Sequence, residues 1–192
     1  LHDALPILLA APIVVPIVAA LAFAVSRDGG KAFYTQQRVG LNGRAFRMWK
    51  LRSMVVDADE RMTRYLAENP EARAEWDAIQ KLKNDPRITP FGRFLRKSSL
   101  DELPQLWNVF IGDMSLVGPR PMMLNQQALY PGMAYYKLRP GITGYWQTAG
   151  RNRTTFEARA EYDAAYEKKL SFMTDFRILL RTVSVVMKGT GC

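Results

Sequence analysis

The sequence predicts a mostly helical α+β protein with an N-terminal Pro-kinked membrane helix, a β-hairpin and a compact cytosolic body. Three observations predict this class. Residues 4–25 contain no charge, residues 32–51 alternate around an Asn-Gly pair that signals a hairpin, and much of the remainder has apolar residues at helical spacing. We expect residues 1–26 to lie in the membrane and residues 27–192 to form one cytosolic domain.

The apolar run from Ala4 to Val25 is 22 residues long, enough for a helix of about 33 Å that matches a bilayer's hydrocarbon core. Basic residues follow it closely from Arg27 onward, which favours the cytoplasmic side for the rest of the chain. Pro12 and Pro16 interrupt the run, and each removes a helical hydrogen bond. Hydropathy is compatible both with a kinked spanning helix and with a re-entrant helix that returns to the same face.

The elements of the cytosolic part follow from turn and cap signals. We expect strands near Ala32–Val39 and Arg44–Leu51, a charged helical region over Asp57–Lys83 with a break at Asn69-Pro70, a turn at Asp85-Pro86, a short basic helix ending near Lys97, an amphipathic helix after residue 101, and closing helices near Thr154–Leu170 and Thr174–Lys188. Because the chain starts at Leu1 rather than Met, we expect it to be the C-terminal part of a longer protein.

Composition restricts the chemistry. The formal net charge is +9, from 27 Lys plus Arg against 18 Asp plus Glu, which favours phosphorylated or polyanionic partners such as nucleic acid, an anionic membrane face or a nucleotide. The only histidine and cysteine are His2 and Cys192, at the chain ends. Zinc clusters, disulfide frameworks, Ser-His-Asp triads and Cys-His pairs are therefore excluded. Carboxylates, Lys, Tyr or Ser must supply any catalytic group.

The stretch SSLDELPQLWN contains adjacent carboxylates, Asp101 and Glu102, before an apolar helical stripe. With Asp101 as N-cap, Pro104 takes the third helical position, where its missing N–H costs little. The dipole would then help keep Asp101 ionised. An ionised carboxylate can act as a nucleophile toward phosphorus or as a metal ligand. The alternative is that the pair only starts the helix.

Arginines on both sides of this pair favour the chemical interpretation. Arg96 precedes it, Arg120 lies between two prolines, and the stretch RPGITGYWQTAGRNR, predicted as a Gly-rich loop, contains Arg139 and Arg151. The guanidinium fork pairs with phosphate oxygens, and Mg²⁺ prefers carboxylates combined with substrate phosphates. The chain has neither a Walker A pattern nor GxGxxG, so it is not an ordinary P-loop or Rossmann enzyme.

Four stretches in this order, GKAFYTQQRVG, FRMWKLRSM, NDPRITPFGRFLRKSSLDELPQLWNVFIGDMSLVGPRP and RPGITGYWQTAGRN, closely resemble the bacterial sugar transferases, that is, the monotopic phosphoglycosyl transferases. The resemblance covers essentially the whole chain and is greatest for the undecaprenyl-phosphate galactose phosphotransferase branch. It implies transfer of a sugar-1-phosphate from a UDP-sugar to undecaprenyl phosphate with release of UMP, the first membrane step of exopolysaccharide or O-antigen synthesis. The site of such an enzyme would face the cytoplasm from the bacterial inner membrane.

The resemblance also implies residue roles. Asp101 would be the nucleophile that forms a covalent phospho-sugar intermediate, and Glu102, together with Asp101, would hold Mg²⁺. Arg96 and Arg120 are expected near phosphates, and Lys50 matches a family lysine near the membrane interface. Dimers occur among longer members, so a homodimer is compatible with the resemblance.

One departure concerns the membrane segment. The family usually breaks its re-entrant helix at a Ser-Pro pair, and Pro16 has the family spacing to Gly30, but Val15 replaces the serine. Valine cannot bond the backbone carbonyl that the proline frees, so Pro12 is expected to share the kink.

Two alternatives remain open at the level of sequence. One is a Mg²⁺-dependent, membrane-associated phosphohydrolase of nucleotide sugars, which would use the same carboxylates but water as acceptor. The other is a basic, membrane-anchored binding module without catalysis. No nucleic-acid-binding pattern is present, so we expect no nucleic-acid partner.

Overall fold

The computed structural model describes residues 4–79, 82–149 and 155–187. In chain order the elements are α1 (Ala4–Ser26), β1 (Phe33–Val39), β2 (Ala45–Leu51), α2 (Ala58–Glu68), α3 (Pro70–Ile79), α4 (Pro90–Ser98), α5 (Gln105–Phe110), β3 (Ser115–Val117), β4 (Gly141–Thr143), α6 (Tyr145–Ala149), α7 (Arg159–Lys168) and α8 (Phe172–Met187). The predicted α+β class with a predominance of helix is confirmed.

The apolar segment forms one continuous helix, α1, through Pro12 and Pro16. Within the described ranges it is the one helix long and apolar enough to cross a membrane, with a mean hydropathy of 2.7 and none of that window buried. Its C-terminal end is attached to the body by Arg52. That guanidinium donates to the carboxylate of Asp28 and to the carbonyl oxygens of Val25, Lys31 and Met54.

Strands β1 and β2 form the predicted antiparallel hairpin, paired from Phe33 with Leu51 to Val39 with Ala45. The connection contains Asn42 at φ 56° and Gly43 at φ 76°, the left-handed conformations that these two residue types adopt most readily. The strand bounds agree with the prediction to within one residue. Every second residue of β2 from Phe46 points to the same face, and this alternation positions the first residue of the site, Lys50.

The predicted helix break at Asn69-Pro70 is confirmed, because α2 ends at Glu68 and α3 begins at Pro70. Helix α4 is the predicted basic helix. Its N-cap Thr89 accepts a hydrogen bond from the backbone N–H of Gly92 at 2.8 Å. Gly92 lies so close to the backbone of Ser53 that a Cβ there would overlap the Ser53 carbonyl. This contact holds α4 against the chain just after β2.

The closing helices are α7 and α8. Helix α7 lies within the predicted range Thr154–Leu170, and α8 begins two residues before its predicted start at Thr174. The predicted limits Thr154 and Lys188 lie outside the described residues.

The stretch predicted as a Gly-rich loop contains a strand and a helix instead. Residues 141–143 form β4, which pairs in parallel with β3 through Ser115–Gly141 and Val117–Thr143, and α6 follows at once. Three-residue strands carry too little periodicity to be recognised from sequence. The pairing is long-range, and it places the loop that contains Arg120 beside β4 and α6.

Candidate active site

The carboxylate pair lies in a 3-10 turn, and the predicted cap assignment is wrong. Ser99 ends α4 in the left-handed conformation at φ 58°, residues 100–102 form the turn, and α5 begins only at Gln105 with Pro104 as its N-cap. Asp101 is therefore inside the turn and caps no helix. The physical reason is that Pro104 has no N–H to donate, so the i to i+3 bonds from Glu102 to Ser99 and from Leu103 to Leu100 are not extended into an α-helix there.

Lys50 of β2 faces both carboxylates. Its Nζ donates to Oε1 of Glu102 at 2.8 Å and lies 3.7 Å from Oδ2 of Asp101. The ammonium thus binds tightly to Glu102 and more loosely to Asp101. This leaves the Asp101 carboxylate less engaged by Lys50 than that of its neighbour.

Asp101 is buried, with 7% of its surface exposed. Burial raises the pKa of its carboxyl group above the usual value, while the positive charge of Lys50 opposes this effect. The expectation that a helix dipole keeps Asp101 ionised is therefore replaced by a different balance, in which desolvation favours the neutral acid and the ammonium favours the carboxylate.

The four predicted arginines differ in where they lie relative to the carboxylate pair. Arg96 donates from Nε to Oγ of Ser53 at 2.8 Å, and its charge also acts to lower the pKa of Asp101. Arg120 lines the same cavity as Glu102. Arg139 is exposed and forms no ion pair among the described residues, whereas Arg151 lies outside them.

Asn108 connects the carboxylate segment to the lysine strand, and the sequence interpretation missed it. It is 0% exposed, its Oδ1 accepts from the N–H of Trp49 at 3.0 Å, and its Nδ2 donates to the carbonyl of Arg47 at 2.7 Å. The side-chain amide forms the two backbone hydrogen bonds with β2 that a neighbouring strand would otherwise form. These bonds set the distance between Lys50 and the 3-10 turn of residues 100–102. A polar residue within the apolar helix after Pro104 was the signal available in the sequence.

A cavity of about 280 Å³ opens beside Glu102. We call it the site cavity. Its lining includes Ser99, Glu102, Arg120 and Gln147. Gln147 is 6% exposed, and neither its amide nitrogen nor its amide oxygen has a hydrogen-bond partner among the described residues. Because a buried amide without partners is costly, Gln147 indicates that a polar ligand completes this cavity.

An apolar groove of about 540 Å³ lies between α1 and α5. Its lining includes Val14, Val18, Phe33, Pro104 and Trp107, while Leu103 and Leu106 line both the groove and the site cavity. A cavity whose lining includes the charged side chains of Glu102 and Arg120 therefore meets an apolar groove at the start of α5. This arrangement suits a ligand with a charged head and an apolar chain.

The donor set for Mg²⁺ consists of two adjacent carboxylates. Within the described ranges there is no group of three or more His, Cys, Asp or Glu residues that could hold a metal by itself. Mg²⁺ is commonly bound by one or two carboxylates together with substrate phosphates, so Asp101 and Glu102 fit the ion only when a phosphorylated ligand shares it.

Asp163 is a second buried acid. The hydroxyl of Tyr130 donates to Oδ2 of Asp163 at 2.9 Å, and burial raises the pKa of Asp163 to about 6. The native state therefore binds a proton more tightly than the unfolded chain, and this contribution to stability decreases as the pH rises from about 4 to 6.

Replacing Asp163 with Asn is expected to remove this pH dependence. A change in pKa from 3.8 to about 6 corresponds to about 3 kcal/mol. The melting temperature of Asp163→Asn relative to the unsubstituted protein should therefore rise between pH 4 and pH 7. Asp59→Asn, an exposed change on α2, is the control and should follow the unsubstituted protein. A constant difference for Asp163→Asn across this range would contradict the prediction.

These features together define a class. A carboxylate pair facing a lysine, near arginines and open to an apolar groove along a membrane-length helix, is typical of membrane-associated proteins that bind phosphorylated ligands. The sequence profile that describes the bacterial sugar transferases matches residues 1–189. The chain belongs to the bacterial sugar transferase family, as the motif resemblance predicted.

Three relatives illustrate this membership. The chain is 50% identical to the UDP-galactose-lipid carrier transferase of Erwinia amylovora over 93% of its own length and 38% of that protein's. It is 48% identical to the undecaprenyl-phosphate galactose phosphotransferase of Salmonella typhimurium over 92% and 37%. It is 42% identical to the exopolysaccharide production protein ExoY of Rhizobium meliloti over 96% and 81%. The chain thus spans well under half of the first two relatives and most of the third.

Proposed function

We propose that this chain transfers a sugar-1-phosphate from a UDP-sugar to undecaprenyl phosphate, releasing UMP, in exopolysaccharide or O-antigen synthesis. The observation that carries the proposal is the junction at Leu103 and Leu106, where the site cavity beside Glu102 meets the apolar groove along α1. A lipid phosphate needs both environments. The names of the relatives, which refer to lipid carriers, undecaprenyl phosphate and exopolysaccharide, support the same substrates.

The reaction would proceed in two displacements. An Oδ atom of Asp101 attacks the phosphorus that bears the sugar, the bond to the bridging oxygen breaks, and UMP leaves with that electron pair. A phosphate oxygen of the lipid then attacks the same phosphorus, the bond to Asp101 breaks, and the carboxylate is restored. Lys50 lies within 4 Å of both carboxylates, which supports a role in keeping Asp101 anionic and in neutralising phosphate charge.

Mg²⁺ would neutralise charge on the phosphate oxygens when it is bound. Glu102 and Asp101 are the carboxylates proposed to hold it.

The topology proposed for α1 is re-entrant, with the catalytic body on the cytoplasmic face of the inner membrane. Near the N-terminal end, Ile7 packs against the core cluster of Met48, and near the C-terminal end Leu21 packs against that of Leu51. These residues are about 20 Å apart along a helix. Because both ends of α1 contact the body, the helix is proposed to stay beside the body and not to cross the bilayer. Reporter tags at the two chain ends should be detected on the same face, and detection on opposite faces would exclude re-entry.

The function is tested with the full chain in membranes or detergent, supplied with Mg²⁺, undecaprenyl phosphate and a panel of labelled UDP-sugars. We expect a lipid-linked sugar diphosphate and an equal amount of UMP with one or a few donors. Free sugar phosphate that accumulates without lipid product would instead identify a phosphohydrolase. Omission of the lipid is the control, and it should leave at most one turnover of UMP per protein molecule.

A further inference from the structure

Three arginines from different parts of the chain lie near one another, and two of them, Arg38 and Arg120, lie beside Glu102. Arg38 is on β1, Arg120 follows β3, and Arg159 begins α7. The guanidinium carbons of Arg120 and Arg159 lie 5.8 and 4.2 Å from the ring centre of Trp146. Arg38 and Arg120 line a small recess together with Lys50 and Glu102, and Arg120 also lines the site cavity.

These guanidinium groups lack ion-pair partners within the described part of the chain. None of the three arginines has a carboxylate within 4.0 Å there. The Nε atoms of Arg38 and Arg159 are buried and have no hydrogen-bond partner among the described residues. Burial and the neighbouring charge of Arg120 lower the pKa of both Arg38 and Arg159, while Glu102 opposes this effect on Arg38 and Asp163 opposes it on Arg159. Neighbouring buried like charges are unfavourable, and a bound anion with several oxygens would offset the charges and accept from the free N–H groups.

We propose that Arg38, Arg120 and Arg159 form a diphosphate subsite that binds the nucleoside-bearing phosphate of the donor while the sugar-bearing phosphate lies at Lys50 and Asp101. The proposal rests on the proposed function and extends it to two residues, Arg38 and Arg159, to which no role was assigned. The lining residues are consistent with this placement, because Arg120 lines both the recess that contains Lys50 and the site cavity beside Glu102.

A donor with two phosphates could place one phosphate at Lys50 and the other at the arginine cluster. When the bridging bond breaks, the departing nucleoside monophosphate gains negative charge next to three guanidinium groups, and this stabilises the leaving group.

Arg159→Gln is the decisive variant. Arg159 stacks on Trp146 and Phe156, so its replacement breaks no side-chain hydrogen bond among the described residues. Arg38, in contrast, also donates to the carbonyl of Pro121 and to Gln36. Arg64→Gln removes one exposed charge on α2 and is the matched control. Binding of inorganic pyrophosphate and of orthophosphate is measured calorimetrically on the full chain in detergent, without divalent cations, so that neither sugar nor lipid transfer is needed.

The expected result is a pyrophosphate Kd that is at least about tenfold higher in Arg159→Gln and in Arg38→Gln than in the unsubstituted protein, as for loss of a charged hydrogen bond. Arg64→Gln should bind normally, and orthophosphate should bind at least about tenfold more weakly than pyrophosphate. In the transfer assay, KM for the UDP-sugar should rise while KM for the lipid is unchanged.

Three outcomes would overturn the subsite: no pyrophosphate binding to the unsubstituted protein, an unchanged Kd in Arg159→Gln, or an equal increase in Arg64→Gln. Because pyrophosphate binding is independent of transfer, a protein that binds it as expected but forms no lipid-linked product would contradict the proposed function and leave the subsite in place.

Discussion

Replacing Asp101 with Asn is expected to reduce sugar-phosphate transfer by at least about 10³-fold, because an amide cannot form the acyl phosphate proposed to carry the sugar between the two displacements. The side chain keeps its shape, and the buried position of Asp101 accommodates a neutral group. The melting temperature should therefore remain the same or increase, since burial already disfavours the charged form. Activity is measured as lipid-linked product and stability by thermal unfolding of the same preparation.

Asp59→Asn is the control for this variant and should retain activity, because Asp59 is exposed on α2. A labelled donor incubated without lipid should also leave covalent label on the unsubstituted protein and none on Asp101→Asn. Full activity in Asp101→Asn would exclude Asp101 as the nucleophile.

Replacing Asn108 with Ala is expected to destabilise the protein by about 3 kcal/mol, since it leaves the N–H of Trp49 and the carbonyl of Arg47 without their partner in a partly buried position. For a chain of this length the melting temperature should fall by about 6–12 °C. Activity should fall further than stability alone explains, because β2 also carries Lys50, which must stay within reach of Asp101 and Glu102.

Asn69→Ala is the matched control for Asn108→Ala. Asn69 donates one hydrogen bond, to the carbonyl of Tyr65 within the same helical region, and its loss should lower the melting temperature by only a few degrees. An Asn108→Ala protein as stable as Asn69→Ala would show that the contact between α5 and β2 does not depend on this amide.

Local signals in the sequence were sufficient for most elements. Asn42-Gly43 placed the hairpin because its backbone conformations are restricted, and Pro70 placed the break between α2 and α3 because proline begins a helix more easily than it continues one. The same reasoning failed at Asp101. There the left-handed Ser99 and the missing N–H of Pro104 act together to give a 3-10 turn, and this combination depends on how α4 packs.

The sequence by itself determined the family, the apolar segment, the hairpin and the identity of the carboxylate pair, because each is encoded in contiguous residues. Only the tertiary structure decided which residues surround that pair. The amide of Asn108 holds β2, and with it Lys50, beside the pair. The β3–β4 pairing positions the loop that contains Arg120. Arg38 and Arg159, which are far away in the sequence, lie next to that loop. Contacts between distant segments depend on packing and leave no local pattern, so an arginine cluster of this kind is visible only when the chain is folded.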